Sequence, residues 1–268
     1  MSGPFLLLAH SLKRIRTLVL TMSLLLAAFQ LVMVAVGGSI YRSDGFQQFT
    51  AILPEFARQL MGPAFMSFAG IVCLGYFHLV VMSSLVGLSI AIGTMPASEV
   101  DTGFIDLILS RPLARHWIIT RTIVAVILSG ALVLGSMMLG TWTGLAALAP
   151  KHAVWPTATL IRSLVLNLGM LMLCWSGVAL GIGAATRRTF AGACTGVLAL
   201  AAFLLDYVGR LWKPAETLGW LSPFRYYSPF DMVTGAGLSM KNVAVLGSIA
   251  VAGYLAAYVL FSRRDLSH

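Results

Sequence analysis

Long apolar segments alternate with short polar segments along the whole chain. An α-helix needs about 20 consecutive apolar residues to cross the roughly 30 Å hydrocarbon core of a bilayer. Six segments meet this requirement, namely residues 17–41, 63–93, 118–149, 157–186, 189–208 and 243–262. The pattern therefore predicts an all-α integral membrane protein, with six transmembrane helices in a single transmembrane domain that comprises residues 1–268.

The composition agrees with this prediction and excludes other classes of protein. Hydrophobic residues make up 59% of the 268 residues and charged residues 10%, whereas a soluble domain has roughly 25% charged residues. This charge content cannot cover a water-exposed surface, which excludes soluble enzymes and disordered chains. The net charge of +9 does not predict a nucleic-acid partner, because the basic residues are scattered between apolar segments and form no continuous face.

The basic residues indicate instead how the chain is oriented in the membrane. Cytoplasmic loops of membrane proteins carry an excess of Lys and Arg. Arg187 and Arg188 occupy the shortest predicted loop, Arg263 and Arg264 follow the last span, and a basic cluster at 13–16 precedes the first. These positions predict that the N-terminus and the C-terminus are both cytoplasmic.

Residues 4–16 allow two interpretations. Phe5, Leu8, Leu12 and Ile15 share one helical face, which favours a separate short helix lying in the cytoplasmic interface of the membrane. The alternative is that this segment simply extends the first span into the cytoplasm.

No motif for a catalytic or metal site is present. A P-loop needs Gly-Lys-Ser/Thr to hold phosphate groups, and none of the lysines follows a glycine. The histidines are too scattered for the spacing of a zinc site. We therefore expect no catalytic residue, no metal and no cofactor.

Three local patterns predict contacts within or between helices. A lone histidine in an apolar span, His78, is expected to hydrogen-bond to a neighbouring backbone or hydroxyl group, with a substrate or proton role as the alternative. Asp206 and Arg210 have the spacing of an ion pair on one helix, with a conduction role as the alternative. Pairs of glycines four residues apart favour close helix packing within the chain, with dimerisation as the alternative. These pairs are Gly140 and Gly144, Gly177 and Gly181, and Gly192 and Gly196.

The loop between the second and third spans carries the most specific pattern. Ser98 is a candidate N-cap, and acidic residues follow it, as is typical of a first helical turn. Phe104, Leu107 and Ile108 form one apolar face, and Pro112 ends the pattern. We therefore predict a short amphipathic cytoplasmic helix, which either docks in a groove of a protein or rests on lipid.

The same loop contains the pattern Glu-x-x-x-Gly-x-x-acid-Leu-x-Leu-Ser-Arg-Pro-x-x-Arg. The residues that form it are Glu99, Gly103, Asp106, Leu107, Leu109, Ser110, Arg111, Pro112 and Arg115. This pattern resembles the signature of bacterial ABC-transporter permeases of the second, exporter-type class. Thr102 and Phe104 depart from the family pattern. Residues 221–230 and 261–266 are weaker matches to later segments of such permeases.

The resemblance implies a multi-pass permease subunit in the cytoplasmic (inner) membrane of a bacterium. Such a subunit moves a substrate, here unidentified, with ATP hydrolysed by a separate cytoplasmic ABC ATPase that is present in two copies. A second permease chain would complete a homodimer or a heterodimer, surrounded by membrane lipid. Two alternatives are a secondary transporter or channel without an ATPase, and a membrane anchor of a protein-maturation complex.

Within the resemblance, the predicted cytoplasmic helix is the coupling helix. Its ATPase-coupling residues would be Glu99, Gly103, Asp106, Arg111, Pro112 and Arg115. Glu99 is expected to reach a base on the ATPase. Gly103 is expected to let the helix come close to the ATPase, because glycine has no side chain.

Residues 209–242, before the last span, are unusually aromatic. Three prolines interrupt them, so a single helix is excluded, and aromatic side chains favour the membrane interface. We predict short interfacial or re-entrant helices on the outer side. In the family that the chain resembles, such elements lie near the exit. The candidates for an outer gate are therefore Trp220, Pro223, Tyr226, Tyr227 and Pro229, and an anchored loop is the alternative.

Overall fold

The computed structural model describes residues 3–42, 67–103 and 114–263. Every regular element in these ranges is a helix. The helices are α1 (Gly3–Arg42), α2 (Phe68–Phe77), α3 (Leu79–Gly93), α4 (Met95–Asp101), α5 (His116–Leu148), α6 (Ala158–Ala185), α7 (Arg188–Leu211), α8 (Lys213–Glu216), a 3-10 turn (Gly219–Leu221), α9 (Pro223–Tyr226), α10 (Pro229–Val233) and α11 (Met240–Arg263).

Six helical segments are long and apolar enough to cross a membrane. They are Leu7–Arg42, Phe68–Gly93, His116–Leu148, Ala158–Ala185, Arg188–Leu211 and Met240–Arg263. The six predicted spans are therefore confirmed, with ends that differ by a few residues. By helix length and hydropathy, the chain is a multi-pass membrane protein.

The first span begins well before the predicted boundary. α1 is one continuous helix of 40 residues, so residues 4–16 are an extension of the span and not a separate interfacial helix. Pro4 lies in its first turn, where the missing N–H has no intrahelical partner to lose. Ser11 and Ile15 are buried, which shows that the extension packs against the rest of the chain.

The second span is divided by one extended residue. α2 ends at Phe77 and α3 begins at Leu79, while His78 between them has φ −64° and ψ 138°. The Ser67 hydroxyl caps the start of α2 by accepting a hydrogen bond from the N–H of Gly70 at 3.0 Å. The span therefore consists of two short helices joined at His78.

Two of the three glycine pairs let spans pack closely within the chain. On α5, a Cβ added to Gly140 would lie 2.5 Å from the carbonyl oxygen of Ala27 on α1. On α6, a Cβ added to Gly177 would lie 2.6 Å from the carbonyl oxygen of Ala250 on α11. Gly196 on α7 differs, because a Cβ added there would meet nothing within 4 Å.

The two ends of the described chain lie at the same end of the helix bundle. Leu7 near the start of α1 packs with Val100, Ile118 and Phe261, the last of which is near the end of α11. We call this the Glu99 end. The opposite end, which we call the aromatic end, contains residues 212–239. That both chain ends share one side agrees with the predicted topology, and the assignment of that side to the cytoplasm stays a prediction.

Candidate functional site

At the Glu99 end, α4 follows α3 almost directly and is packed into the bundle. Its residues from Met95 to Val100 are buried. The prediction that Ser98 is the N-cap is wrong, because α4 begins at Met95 after Thr94. Pro96 explains the earlier start, since proline fits the first turn of a helix, where its missing N–H costs no hydrogen bond.

The central contact of α4 is an ion pair between Glu99 and Arg121 of α5. Arg121 Nη2 donates to Glu99 Oε2, and the Arg121 and Glu99 side chains are only 3% and 1% exposed. Arg14 of α1 lies farther off, with its Nη1 4.0 Å from Glu99 Oε1. Burial raises the pKa of the Glu99 carboxyl, against the opposing effect of the Arg121 and Arg14 charges. The base that Glu99 meets in the structure therefore belongs to its own chain.

Two further residues of α4 connect it to other spans. Asp101 Oδ2 accepts a hydrogen bond from the N–H of Arg188 at 2.8 Å, a favourable position for a carboxylate at the N-terminus of α7. Ser98 Oγ accepts from Arg14 Nη2 at 3.2 Å and from Arg188 Nη1 at 3.3 Å. We call these residues the Glu99 cluster, which comprises Arg14, Ser98, Glu99, Asp101, Arg121 and Arg188.

Gly103, just after the C-cap of α4, has a backbone conformation that favours glycine. Its φ is +68°, in the left-handed region where side chains are strained, and it follows Thr102, the C-cap of α4. A Cβ at Gly103 would meet nothing within 4 Å. Within this chain, glycine is therefore explained by backbone conformation and not by a close contact.

Of the other predicted coupling residues, the structure describes only Arg115. Arg115 is exposed just before α5. Asp106, Arg111 and Pro112 lie outside the described residues, and so does the predicted apolar face of the coupling helix.

At the aromatic end, residues 212–239 form a series of short helices, as predicted, and we call them the aromatic segment. Pro223 and Pro229 occupy the first turns of α9 and α10. Ser222 fixes the segment to α7, because its hydroxyl donates to the carbonyl oxygen of Ala202 at 2.7 Å. The segment therefore turns at its prolines and packs back against the spans.

The aromatic segment also completes the break in the second span. In an unbroken helix the N–H of Val80 would donate to the carbonyl oxygen of Tyr76. Here Val80 N–H donates to His78 Nδ1 at 3.3 Å, and the Tyr227 hydroxyl donates to the Tyr76 carbonyl at 3.0 Å. Two side chains thus replace one helical hydrogen bond, and the predicted backbone contact of His78 is confirmed.

The five outer-gate candidates fall into two groups. Pro223, Tyr227 and Pro229 are buried against the spans. Trp220 is exposed, and the Tyr226 hydroxyl donates to its carbonyl oxygen at 3.1 Å. The structure therefore buries the first group in the bundle, whereas Tyr226 is partly buried against the core and Trp220 lies on the surface. The predicted ion pair nearby is confirmed, with Arg210 Nε 2.9 Å from Asp206 Oδ2.

A polar group inside the bundle was not predicted from the sequence. Gln30 Nε2 of α1 donates to Thr141 Oγ1 of α5 at 3.1 Å, and the Tyr76 hydroxyl lies 2.6 Å from the same oxygen. Polar side chains that hydrogen-bond across helices stabilise packing in membranes. An amide residue in the middle of the first apolar segment is the signal from which this contact could have been suspected.

Comparisons with known proteins identify no relative. No family model matches the chain, and no curated protein or solved structure is similar enough to count as a match. The geometry of the two ends of the bundle is therefore the basis for assigning a function.

Proposed function

We propose that the chain is the permease subunit of an ATP-binding-cassette transporter of the second, exporter-type class. It would move a substrate across the cytoplasmic membrane of a bacterium with energy from a separate ATPase. The loop pattern from Glu99 to Arg115 and the six apolar spans support this proposal. The lack of a P-loop in the sequence agrees with an ATPase on another chain.

The observation that carries the proposal is the attachment of α4. This helix follows the second span directly and is bound to the starts of α1, α5 and α7 through the Glu99 cluster. Buried charges are screened less than exposed ones, so the Glu99–Arg121 pair holds α4 firmly against α5, and the more exposed contacts of Arg14 and Asp101 add attachments to α1 and α7. An ATPase that displaces the loop after α4 would therefore move four spans together.

The residues divide into two roles under this proposal. Glu99 positions α4 by its pair with Arg121, which replaces the expected contact of Glu99 with a base on the ATPase. Contact with the ATPase is assigned to the stretch from Gly103 to Arg115. Two ATPase copies and a second permease chain would complete the transporter, and this chain itself would hydrolyse no ATP.

Co-purification with an ABC ATPase encoded in the same operon tests the proposal, and Gly103 offers a sharp pair of variants. Gly103→Asn tolerates a positive φ, whereas Gly103→Val does not. If Gly103 serves only the backbone turn, Gly103→Asn retains the ATPase and Gly103→Val loses it. If the ATPase packs against Gly103, both variants lose it. Failure of the unaltered permease to retain any ATPase would contradict the proposal.

The break at His78 favours a second candidate, a secondary transporter without an ATPase. Discontinuous spans are typical of the substrate sites of such carriers. Transport by reconstituted vesicles separates the two functions. The ABC proposal predicts uptake that needs the ATPase and ATP, whereas a secondary transporter would need an ion gradient and neither of these.

A further inference from the structure

Three adjoining cavities begin at the aromatic end and continue between α3 and α7. The first has a volume of about 370 Å³ and is charged, with Asp206, Arg210, Glu216, Arg225 and Asp231 among its lining residues. The second, of about 230 Å³, also contacts Asp206 and Arg210, but aromatic rings line most of it. The two cavities therefore share a wall where charged residues meet apolar ones.

The third cavity is an apolar groove between α3 and α7. It has a volume of about 250 Å³ and shares Met82, Phe203 and Phe224 with the aromatic cavity. Gly87 and Gly196 are among the residues that line this groove, and a Cβ added to either would meet nothing within 4 Å. These two glycines therefore leave room for a molecule, unlike the glycines that are covered by neighbouring spans.

The cavities together extend along the outer face of α7, from the charged cavity, which we call the mouth, towards the middle of the helix. Ten residues separate Gly196 from Asp206, which corresponds to about 15 Å along a helix. Polarity falls continuously over this distance, from carboxylates through aromatic rings to aliphatic side chains and glycine. This gradient matches a molecule with one charged end and an apolar body.

The charges at the mouth favour a cationic group. Three carboxylates face two guanidinium groups in the charged cavity, a formal charge of −1. Asp206 lies 2.9 Å from Arg210, and Glu216 lies 4.0 Å from Arg225. Asp231 makes no ion pair with any side chain that the structure describes. The phenylalanine rings below the mouth would also attract a cation.

We infer that these cavities bind a cationic amphiphile, with its charged group near Asp206 and Asp231 and its apolar body in the α3–α7 groove. This inference rests on the proposed export function, because it names the class of substrate that would leave through the aromatic end. The binding site itself needs only this chain.

Binding to the purified chain, without any ATPase, tests the inference. The chain is placed in nanodiscs of zwitterionic lipid, and empty nanodiscs give the background. The probes are dodecyltrimethylammonium and dodecyl sulfate, which share a tail and differ in charge. We expect saturable binding of the cation, about tenfold tighter than that of the anion, as one modest charge contact provides.

Two variants and one control locate the site. Asp231→Asn should weaken binding of the cation by about threefold, as loss of one exposed charge contact does, and leave the fold intact, since this carboxylate makes no ion pair within the described residues. Gly196→Leu should abolish binding by filling the groove. Gly135→Leu is the matched control, because Gly135 is equally open but lies on α5, and its binding should be unchanged.

Three results would overturn the inference. Equal binding of cation and anion would remove the role of the charged mouth. Undiminished binding by Gly196→Leu would show ordinary lipid contact. A dimeric chain that binds neither probe and becomes monomeric on Gly196→Leu would assign the groove to a second copy. The binding test uses the chain alone and the proposed function is tested by ATPase co-purification. Failure of probe binding together with normal co-purification would therefore overturn only this inference.

Discussion

The Glu99 end and the aromatic end both fix short helices against the spans, but they use different interactions. At the Glu99 end, charged groups of α4 pair with residues of three spans, and the central pair of Glu99 with Arg121 is buried. At the aromatic end, rings pack against the spans, and neutral hydrogen bonds join Ser222, Tyr227 and Ser228 to them. At the Glu99 end, α4 is therefore held by a buried ion pair that is costly to break.

Under the proposed function, this difference suits a transporter that an ATPase drives at one end and that opens at the other. Breaking a buried ion pair leaves a charge without a partner in an apolar surrounding, so α4 and the spans should move as one unit. A neutral hydrogen bond contributes much less net free energy. The polar contacts of the aromatic segment should therefore break at a smaller cost.

The largest expected effect comes from removing one partner of the buried pair. Glu99→Ala leaves Arg121 buried and unpaired, which typically destabilises a protein by about 3–5 kcal/mol. We expect a lower melting temperature of the purified permease and less protein in the membrane. A variant as stable as the unaltered chain would show that the pair does not hold α4.

A double variant separates stability from coupling. Replacing both charges, as in Glu99→Leu with Arg121→Met, removes the unpaired charge and should restore most of the stability. We nevertheless expect slower transport, because the ionic connection between α4 and α5 is lost. Normal transport by this variant would show that packing alone transmits the motion.

A smaller effect is expected at the break in the second span. Tyr227→Phe leaves the buried carbonyl of Tyr76 without its donor, at a cost of about 1–3 kcal/mol. Tyr226→Phe is the matched control, because the Tyr226 side chain is only partly buried and its hydroxyl donates to the carbonyl oxygen of the exposed Trp220. Thermal unfolding should distinguish the two variants, and equal melting temperatures would contradict a role of Tyr227 in completing the break.

The smallest effect should follow a change at the edge of the Glu99 cluster. Asp101 accepts one hydrogen bond from the start of α7, and loss of a side chain that caps a helix in this way costs about 1 kcal/mol. Asp101→Ala should therefore lower the melting temperature slightly, while Asp101→Asn, which retains an acceptor, should lower it less. The reverse order would exclude a capping role.

The spans were predictable from the sequence because length and hydropathy are local properties. The Asp206–Arg210 pair and the backbone contact of His78 were predictable for the same reason, since each joins residues within one turn. The partner of Glu99 was not. Arg121 lies 22 residues away, on another helix, and only the packing of α4 against α5 brings the two together.

The start of α4 shows a different limit of sequence analysis. Ser98 has the chemistry of an N-cap, yet its hydroxyl accepts hydrogen bonds from two arginines inside the cluster. Pro96 was the better signal for the helix start. The turn at Gly103 could have been suspected from glycine alone, but its positive φ distinguishes a backbone requirement from a close contact.

The central claim, that an ATPase acts on the Glu99 end, is tested most directly by crosslinking from both ends. A photoreactive p-benzoylphenylalanine replaces either Thr102, which is exposed after α4, or Trp220, which is 62% exposed at the aromatic end. Both variants are expressed with an ABC ATPase encoded in the same operon. We predict a crosslinked permease–ATPase product from position 102 and none from position 220. A product from position 220, or from neither position, would contradict the account.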